Sequence, residues 1–199
     1  VIVSIAPIFT GILAHFFLEG EKMKKSIVLG FVCAMAGICL ITFQKGETVE
    51  LNPLGDFLGV AAAAIWGVYS ICSRKIAGFG YDTIITTRRT FFYGILFMLC
   101  ALPFMDFHLS LSALLKPVNL GNIIYLGVGA SAICFVTWNY AVKSLGATRA
   151  SVYIYGIPVV TILMSIPLLH EVITFQAMAG TVLTLVGLLI SEWPFSPKK

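Results

Sequence analysis

Seven windows of the chain, 1–18, 26–43, 54–73, 87–104, 121–142, 150–169 and 173–191, are apolar and carry charge only near their ends. About twenty such residues make a helix long enough to cross the hydrocarbon core of a bilayer. A Lys, Arg or Asp at the centre of one would cost about 2.5–3.5 kcal/mol on insertion, so the spacing of the charges marks out the spans. Of the 199 residues 59% are apolar and 11% charged, with a mean hydropathy of +0.98. Soluble domains average about 45–50% apolar and about 25% charged. A chain of this make-up has too little polar surface to face water on all sides. The expected fold class is an all-α membrane protein, a polytopic helical bundle.

The segments between the windows set the orientation. Lys22, Lys24, Lys25, Arg74, Lys75, Arg88, Arg89, Lys143, Arg149, Lys198 and Lys199 fall in every second segment, which leaves only Lys45 and Lys116 of the 13 basic residues in the alternate set. Glu47, Glu50, Asp56, Asp106 and Glu171 lie in that alternate set. Basic residues collect on the cytoplasmic side of membrane proteins. The basic loops and the C-terminus are therefore expected in the cytoplasm, and residue 1 outside. The net charge of +4 is read as an orientation signal in a cytoplasmic membrane, with no nucleic acid as partner. Val1 stands inside an apolar run with neither Met nor a basic stretch before it. No signal peptide is read there, and further residues are expected upstream.

The first two windows and the last two repeat one pattern. Pro7, Thr10, Leu18, Glu21, Gly30 and Gly37 correspond to Pro158, Thr161, Leu169, Glu171, Gly180 and Gly187, at an offset of 151 before the hairpin turn and 150 after it. Each copy reads as a Pro-interrupted helix, a short turn with Glu, and a helix with two glycines seven apart. Glycines at i and i+7 share a helix face and let backbones approach closely. Ala34 and Thr184 fall between them on that face. The copies begin five windows apart, an odd number, so they are expected to cross the membrane in opposite directions. Inverted repeats with paired broken helices are a recurring plan of secondary transporters, whose substrate site lies near the midplane at the repeat interface.

Residues 144–190, SLGATRASVYIYGIPVVTILMSIPLLHEVITFQAMAGTVLTLVGLLI, resemble the final helix pair of EamA-type proteins in the drug/metabolite transporter superfamily. There a ga..as....P helix precedes a turn with Glu and a G......G helix. Residues 5–43 resemble the same pair in the first half. AAAAIWGVYSICSRKI at 61–76 resembles the opening helix of the second half, and Arg88 or Arg89 stands where that half's second helix begins with Arg. The resemblance implies ten helices in two inverted five-helix halves, both termini cytoplasmic, with this chain holding the last seven. Residues 1–45 would end the first repeat, 46–53 form an external linker, 54–192 make the second repeat and 193–199 a cytoplasmic tail. It also implies a permease or exporter moving a small metabolite, such as an amino acid or drug-like compound, by alternating access, with no enzyme activity and no cofactor. The partners are then the small-molecule substrate and the lipid bilayer. A homodimer and a coupled proton or ion stay open.

Several side chains stand out as candidates. His15 is ionisable near the cytoplasmic end of its span, and is either functional or simply wetted. Trp66, Tyr69, Ser70 and Ser73 fall at i, i+3, i+4 and i+7 on one helix face, and Trp66 is too central for an interfacial belt. Asn139 needs partners away from lipid. Ser4, Pro7, Thr10 and Ala14 match Tyr155, Pro158, Thr161 and Ser165, each set expected along one helix face. Pro7 and Pro158 would break the helix ladder there and leave a backbone carbonyl free near mid-membrane. The expected substrate-binding residues are Thr10, His15, Trp66, Tyr69, Ser70, Asn139, Tyr155 and Thr161, with close helix packing as the competing reading of the small ones. Arg88 and Arg89 are either a cytoplasmic entrance for anions or snorkelling anchors.

Two other functions share some of these features. A seven-helix receptor fits the helix count, but neither the repeat nor the short basic loops. For an intramembrane enzyme, His170 and Glu171 begin a zinc-protease pattern, but Thr174 stands where the second His is needed. No Walker A motif and no Cys/His cluster with zinc spacing occurs, and Cys33, Cys39, Cys72, Cys100 and Cys134 read as small packing residues. Reporter fusions to the complete protein should place residues 22–25 and the C-terminus in the cytoplasm, and the 45–53 and 106–117 loops outside. Finding 22–25 and the C-terminus on opposite sides would refute the helix count and the inverted repeat together.

Overall fold

The computed structural model describes residues 2–42, 52–105, 110–169 and 174–193. Val1, Lys45, Glu47, Glu50, Asp106, His170, Glu171, Lys198 and Lys199 enter the charge pattern or the repeat but lie outside the described residues, as do most of 46–53 and 193–199. Among the described residues every regular element is helical. The α-helices are α1 (Ala6–Phe17), α2 (Lys25–Thr42), α3 (Pro53–Gly78), α4 (Thr83–Ala101), α5 (Leu111–Leu114), α6 (Pro117–Ile124), α7 (Cys134–Leu145), α8 (Ala147–Val152), α9 (Ile157–Leu169) and α10 (Phe175–Glu192). A π-helical stretch, Tyr125–Ile133, joins α6 to α7, and a 3-10 stretch, Tyr153–Gly156, joins α8 to α9.

Among the described residues six helices are long and apolar enough to cross a membrane: Lys25–Thr42, Pro53–Gly78, Thr83–Phe104, Pro117–Leu145, Ala147–Leu168 and Phe175–Glu192. The first of the seven expected spans differs. α1 is a shorter apolar helix of 12 residues that follows a 3-10 turn, Ile2–Ile5. Pro7 explains the change. It sits in the first α-helical turn, where a missing N–H is harmless, and the residues before it take the tighter winding. The second copy does the same at the same offset: the 3-10 stretch Tyr153–Gly156 precedes Pro158 in the first turn of α9.

That geometry corrects one expectation. The carbonyl that Pro158 cannot serve is that of Ile154, and the Ile157 N–H donates to it within the tightened turn. It is not left free. Instead, Pro167 lies inside α9 and has no N–H to offer the Leu163 carbonyl.

The chain forms two compact units, Val1–Cys72 with Leu145–Lys199, and Ser73–Ser144. In the first, α2 and α10 run antiparallel with their glycines in register. A Cβ added at Gly180 would lie 2.7 Å from the Gly37 carbonyl oxygen, and one at Gly187 would lie 2.7 Å from that of Gly30. Backbone meets backbone at both ends of the contact, with fully buried Ala34 and Thr184 between. The Thr184 hydroxyl donates to its own helix at the Gly180 carbonyl, 2.8 Å away. Two polar ties cross the pair: Cys33 Sγ to the Leu183 carbonyl at 3.5 Å, and Gln176 Nε2 to that of Leu40 at 3.1 Å. Because Gly30 faces Gly187 and Gly37 faces Gly180, α2 and α10 run in opposite directions. Tyr155 and Val152 pack onto this pair beside Ala34 and Ile38.

α1 buries Pro7, Thr10, Gly11 and Ala14. Its backbone approaches α3 at Gly67, where a Cβ would stand 3.2 Å from the Thr10 nitrogen, and it packs along α8. In the second unit Asp82 caps α4 by accepting from Ile84 and Ile85 at 2.9 and 3.0 Å. Phe91 and Phe135 meet edge to face at 5.1 Å. Arg74 reaches the last turn of α7 and donates to the carbonyls of Val142 and Lys143 at 3.3 and 2.6 Å, a favourable place for a cation.

The glycine contact can be tested by contrast. Gly187→Val should destabilise the protein in detergent by at least the about 1–3 kcal/mol typical of overpacking, because the obstacle is backbone. Gly94→Ala, with nothing within 4 Å of its added Cβ, should be neutral or stabilising by up to about 1 kcal/mol. Thermal unfolding of the two variants decides it.

Candidate functional site

The exposed face of α9 forms a wide-open concavity, and all its lining residues come from Tyr153–Leu168. Tyr153, Gly156, Val160, Thr161, Met164 and Ser165 line it at the spacing of one helix face. The lining is mainly apolar, with three hydroxyls, those of Tyr153, Thr161 and Ser165. Thr161 donates to the Ile157 carbonyl at 2.9 Å and Ser165 to that of Ile162 at 3.0 Å. With their protons turned back into the helix, both oxygens keep lone pairs for a donor on a ligand.

The expected stripe Tyr155, Pro158, Thr161 and Ser165 therefore does not hold as one face. Tyr155 is 1% exposed. Its ring lies 6.4 Å from that of Phe31 on α2, and its hydroxyl has no hydrogen-bond partner among the described residues. Six residues advance a helix by two-thirds of a turn beyond a whole one, so Tyr155 and Thr161 cannot point the same way. In the first copy Thr10 is fully buried, with its hydroxyl on the Ala6 carbonyl at 3.0 Å. It fills the packed α1 interior.

The remaining candidates are dispersed. His15 is exposed, with its ring edge-on to Phe16 at 5.3 Å. Trp66 and Tyr69 pair at 5.6 Å, while Ser70 is buried and donates back to the Trp66 carbonyl at 3.0 Å. Arg88 and Arg89 are exposed on α4. Asn139 finds the partner it needs, donating to Thr87 Oγ1 at 2.9 Å. It also lines a small polar recess of the second unit with Ser73, Tyr81, Thr83, Thr86 and Thr90. Among the described residues no three His, Cys, Asp or Glu side chains gather at a metal-binding spacing.

Two side chains do more than the sequence suggests. Arg74 reads there only as a loop charge. Glu21 reads only as a repeated letter, yet it makes the most elaborate polar contact in the first unit. From the turn between α1 and α2 its carboxylate accepts from Ala147 N at 3.1 Å, Thr148 N at 3.0 Å and Thr148 Oγ1 at 3.0 Å. Those are the first amides of α8. Gly146, just before them, has φ +94° and no space for a Cβ, which would stand 2.7 Å from Glu21 Oε1. The repetition of Glu in both copies is the one signal that could have pointed to it.

The EamA-like transporter family matches residues 53–193. The chain belongs to that family. It is 31% identical over 191 residues to an uncharacterized transporter of Archaeoglobus fulgidus, covering 96% of this chain and 65% of that protein. It is 28% identical to the uncharacterized transporter YyaM of Bacillus subtilis, covering 96% of this chain and 62% of that one. A probable terminal-alkyne amino-acid exporter of Streptantibioticus cattleyicolor is also 28% identical, with 95% and 61% covered. The chain thus spans less than two thirds of the length of these relatives. A crystal structure at 21% identity superposes with a TM-score of 0.76 over 96% of this chain and 65% of that one, which shows a shared fold. The EamA assignment and the six apolar helices together make this a multi-pass membrane protein of a transporter family.

The polar pair of the second unit gives a direct test. Asn139→Leu removes the donor to Thr87 Oγ1 and should lower stability by about 0.5–1.5 kcal/mol. Tyr140→Phe, on the next residue and exposed, should stay within about 0.5 kcal/mol. Chemical unfolding in detergent reads both; equal values would mean that the hydrogen bond carries no net stability.

Proposed function

We propose that the protein is a secondary transporter that carries a small metabolite across the cytoplasmic membrane by alternating access between inverted halves. The observation that supports this best is the antiparallel, glycine-on-glycine contact of α2 with α10, which joins the two copies of the repeat back to back. Such a contact gives each half a rigid partner of opposite direction, as a rocking mechanism requires. In this reading residues 1–45 end one repeat, 46–53 link the halves outside, and 54–192 form the other. The C-terminal tail lies in the cytoplasm.

The α9 concavity is the proposed substrate wall. An apolar surface with two outward lone-pair sites suits an amphipathic molecule with an apolar body and a hydrogen-bond donor. An amino acid with an apolar side chain has that make-up, and one relative is named a probable exporter of a terminal-alkyne amino acid. Of the residues singled out in the sequence, Thr161 is the one we assign to substrate contact. Thr10, Ser70 and Tyr155 hold helices together around it, with Pro7 and Pro158 setting the winding. His15, Trp66 and Tyr69 of the first unit are not part of this wall; in the second unit Asn139 is assigned to its polar recess, and Arg88 and Arg89 to a cytoplasmic entrance on α4.

Cells carrying the complete gene, screened against apolar amino acids and toxic analogues, should show altered resistance or flux for at least one of them. With that substrate, Thr161→Val should insert normally and raise KM about three- to tenfold, the worth of one hydrogen bond. Tyr155→Phe, away from the wall, should leave KM unchanged. No flux of any compound would sink the carrier reading, and an unchanged KM in Thr161→Val would remove α9 from the site.

A further inference from the structure

We infer that the Glu21 carboxylate on the amino end of α8 is the latch that holds one mouth of the transporter closed, and that it must release in every cycle. This rests on the alternating-access reading above. The latch joins the two copies of the repeat at their ends. Glu21 belongs to the hairpin turn of the first copy, and Ala147 and Thr148 open the broken helix of the second, 126 and 127 residues away. The turn that carries Glu21 also carries Lys22, Lys24 and Lys25, so the closed mouth is the one on the basic side.

The seat is shaped for a carboxylate. Two backbone amides and one hydroxyl converge on its two oxygens at 3.0–3.1 Å. Gly146 takes φ +94° and leaves no room for a side chain between helix and carboxylate. α8 receives no cap from a side chain at its own N-cap position, so it depends on a residue from the other copy. An oxyanion at a helix start is favoured by the orphan amides and by the helix dipole.

Its strength suits a switch. Charge-assisted hydrogen bonds at a membrane face can be exchanged for water, so the contact biases an equilibrium without welding it. Around it α1 packs along α8: a Cβ added at Gly11 would stand 3.8 Å from Thr148 Cγ2, and Ala14, Ala147 and Ala150 are buried small residues. Further along the same broken helix, α9 presents its open concavity.

The test uses the full-length protein with Cys33, Cys39, Cys72, Cys100 and Cys134 replaced by Ser. Glu21→Cys with Thr148→Cys is joined by a short bifunctional methanethiosulfonate in proteoliposomes. Joining should cut flux by about tenfold or more, the scale of a gating bias, and a reductant should restore it. Undiminished flux in the joined protein would make the contact static and overturn the latch. In parallel, Ala150→Cys, 2% exposed behind the latch, is labelled with a membrane-impermeant maleimide from the Lys22–Lys25 side. Glu21→Gln, which keeps the size but offers one acceptor where the amides and hydroxyl need two, should speed labelling about fivefold or more. Equal labelling rates with and without the Glu21→Gln change, compared at matched thermal stability, would also overturn it. The labelling arm needs no substrate, so an absence of flux in every protein would count against the carrier reading alone.

Discussion

Everything in the first unit is arranged around the closeness of two peptide backbones. In a bilayer, burying one apolar helix against another gains little from water release, because lipid tails are as apolar as leucine. Cohesion has to come from dispersion between atoms in contact, and that falls away quickly with distance. Gly30, Gly37, Gly180 and Gly187 supply the contact by having nothing in the way. Once α2 and α10 are that close, their shared groove has a fixed floor. Tyr155 and Val152 pack onto it, and this fixes how the α8–α9 rod turns and which of its sides stays open.

The two copies of the repeat share a pattern but not a duty. Thr10 and Thr161 match in sequence and make the same bond to the carbonyl four residues back. Thr10 is enclosed by packing against α3 and α8, whereas Thr161 lines an open wall. The difference comes from neighbours and not from the helices themselves. A duplicated element of this kind can keep its winding in both places while one copy is held in the interior and the other is left to meet a ligand.

The membrane class, the positions of six spans and the glycine faces of α2 and α10 were legible because each leaves a one-dimensional trace. Charges are excluded from spans, and glycines seven apart mark a face. The extent of α1 was not legible, since Pro7 is compatible either with a kink inside a long helix or with a first turn. The stripe of candidate residues failed for a related reason. Its spacing presumes an unbroken helix, and the 3-10 winding at Tyr153–Gly156, with the six-residue step from Tyr155 to Thr161, separates the ends of the stripe. Glu21 was legible only as a recurrence. Its seat on Ala147 and Thr148 depends on how the chain returns after more than a hundred residues, and no local pattern carries that.

Many of the hydroxyls inside these helices share one habit. Thr10, Thr42, Ser70, Thr87, Thr161, Thr181, Thr184 and Ser191 each give their proton to the carbonyl four residues earlier on their own helix. Each proton is thereby placed within its own helix, with no acceptor needed from a neighbour. Helices satisfied in this way meet across surfaces with few directional ties, so sliding or tilting one past another breaks few hydrogen bonds that must be remade elsewhere. What resists motion is then chiefly shape, which yields gradually, like a well-greased bearing seated by its fit.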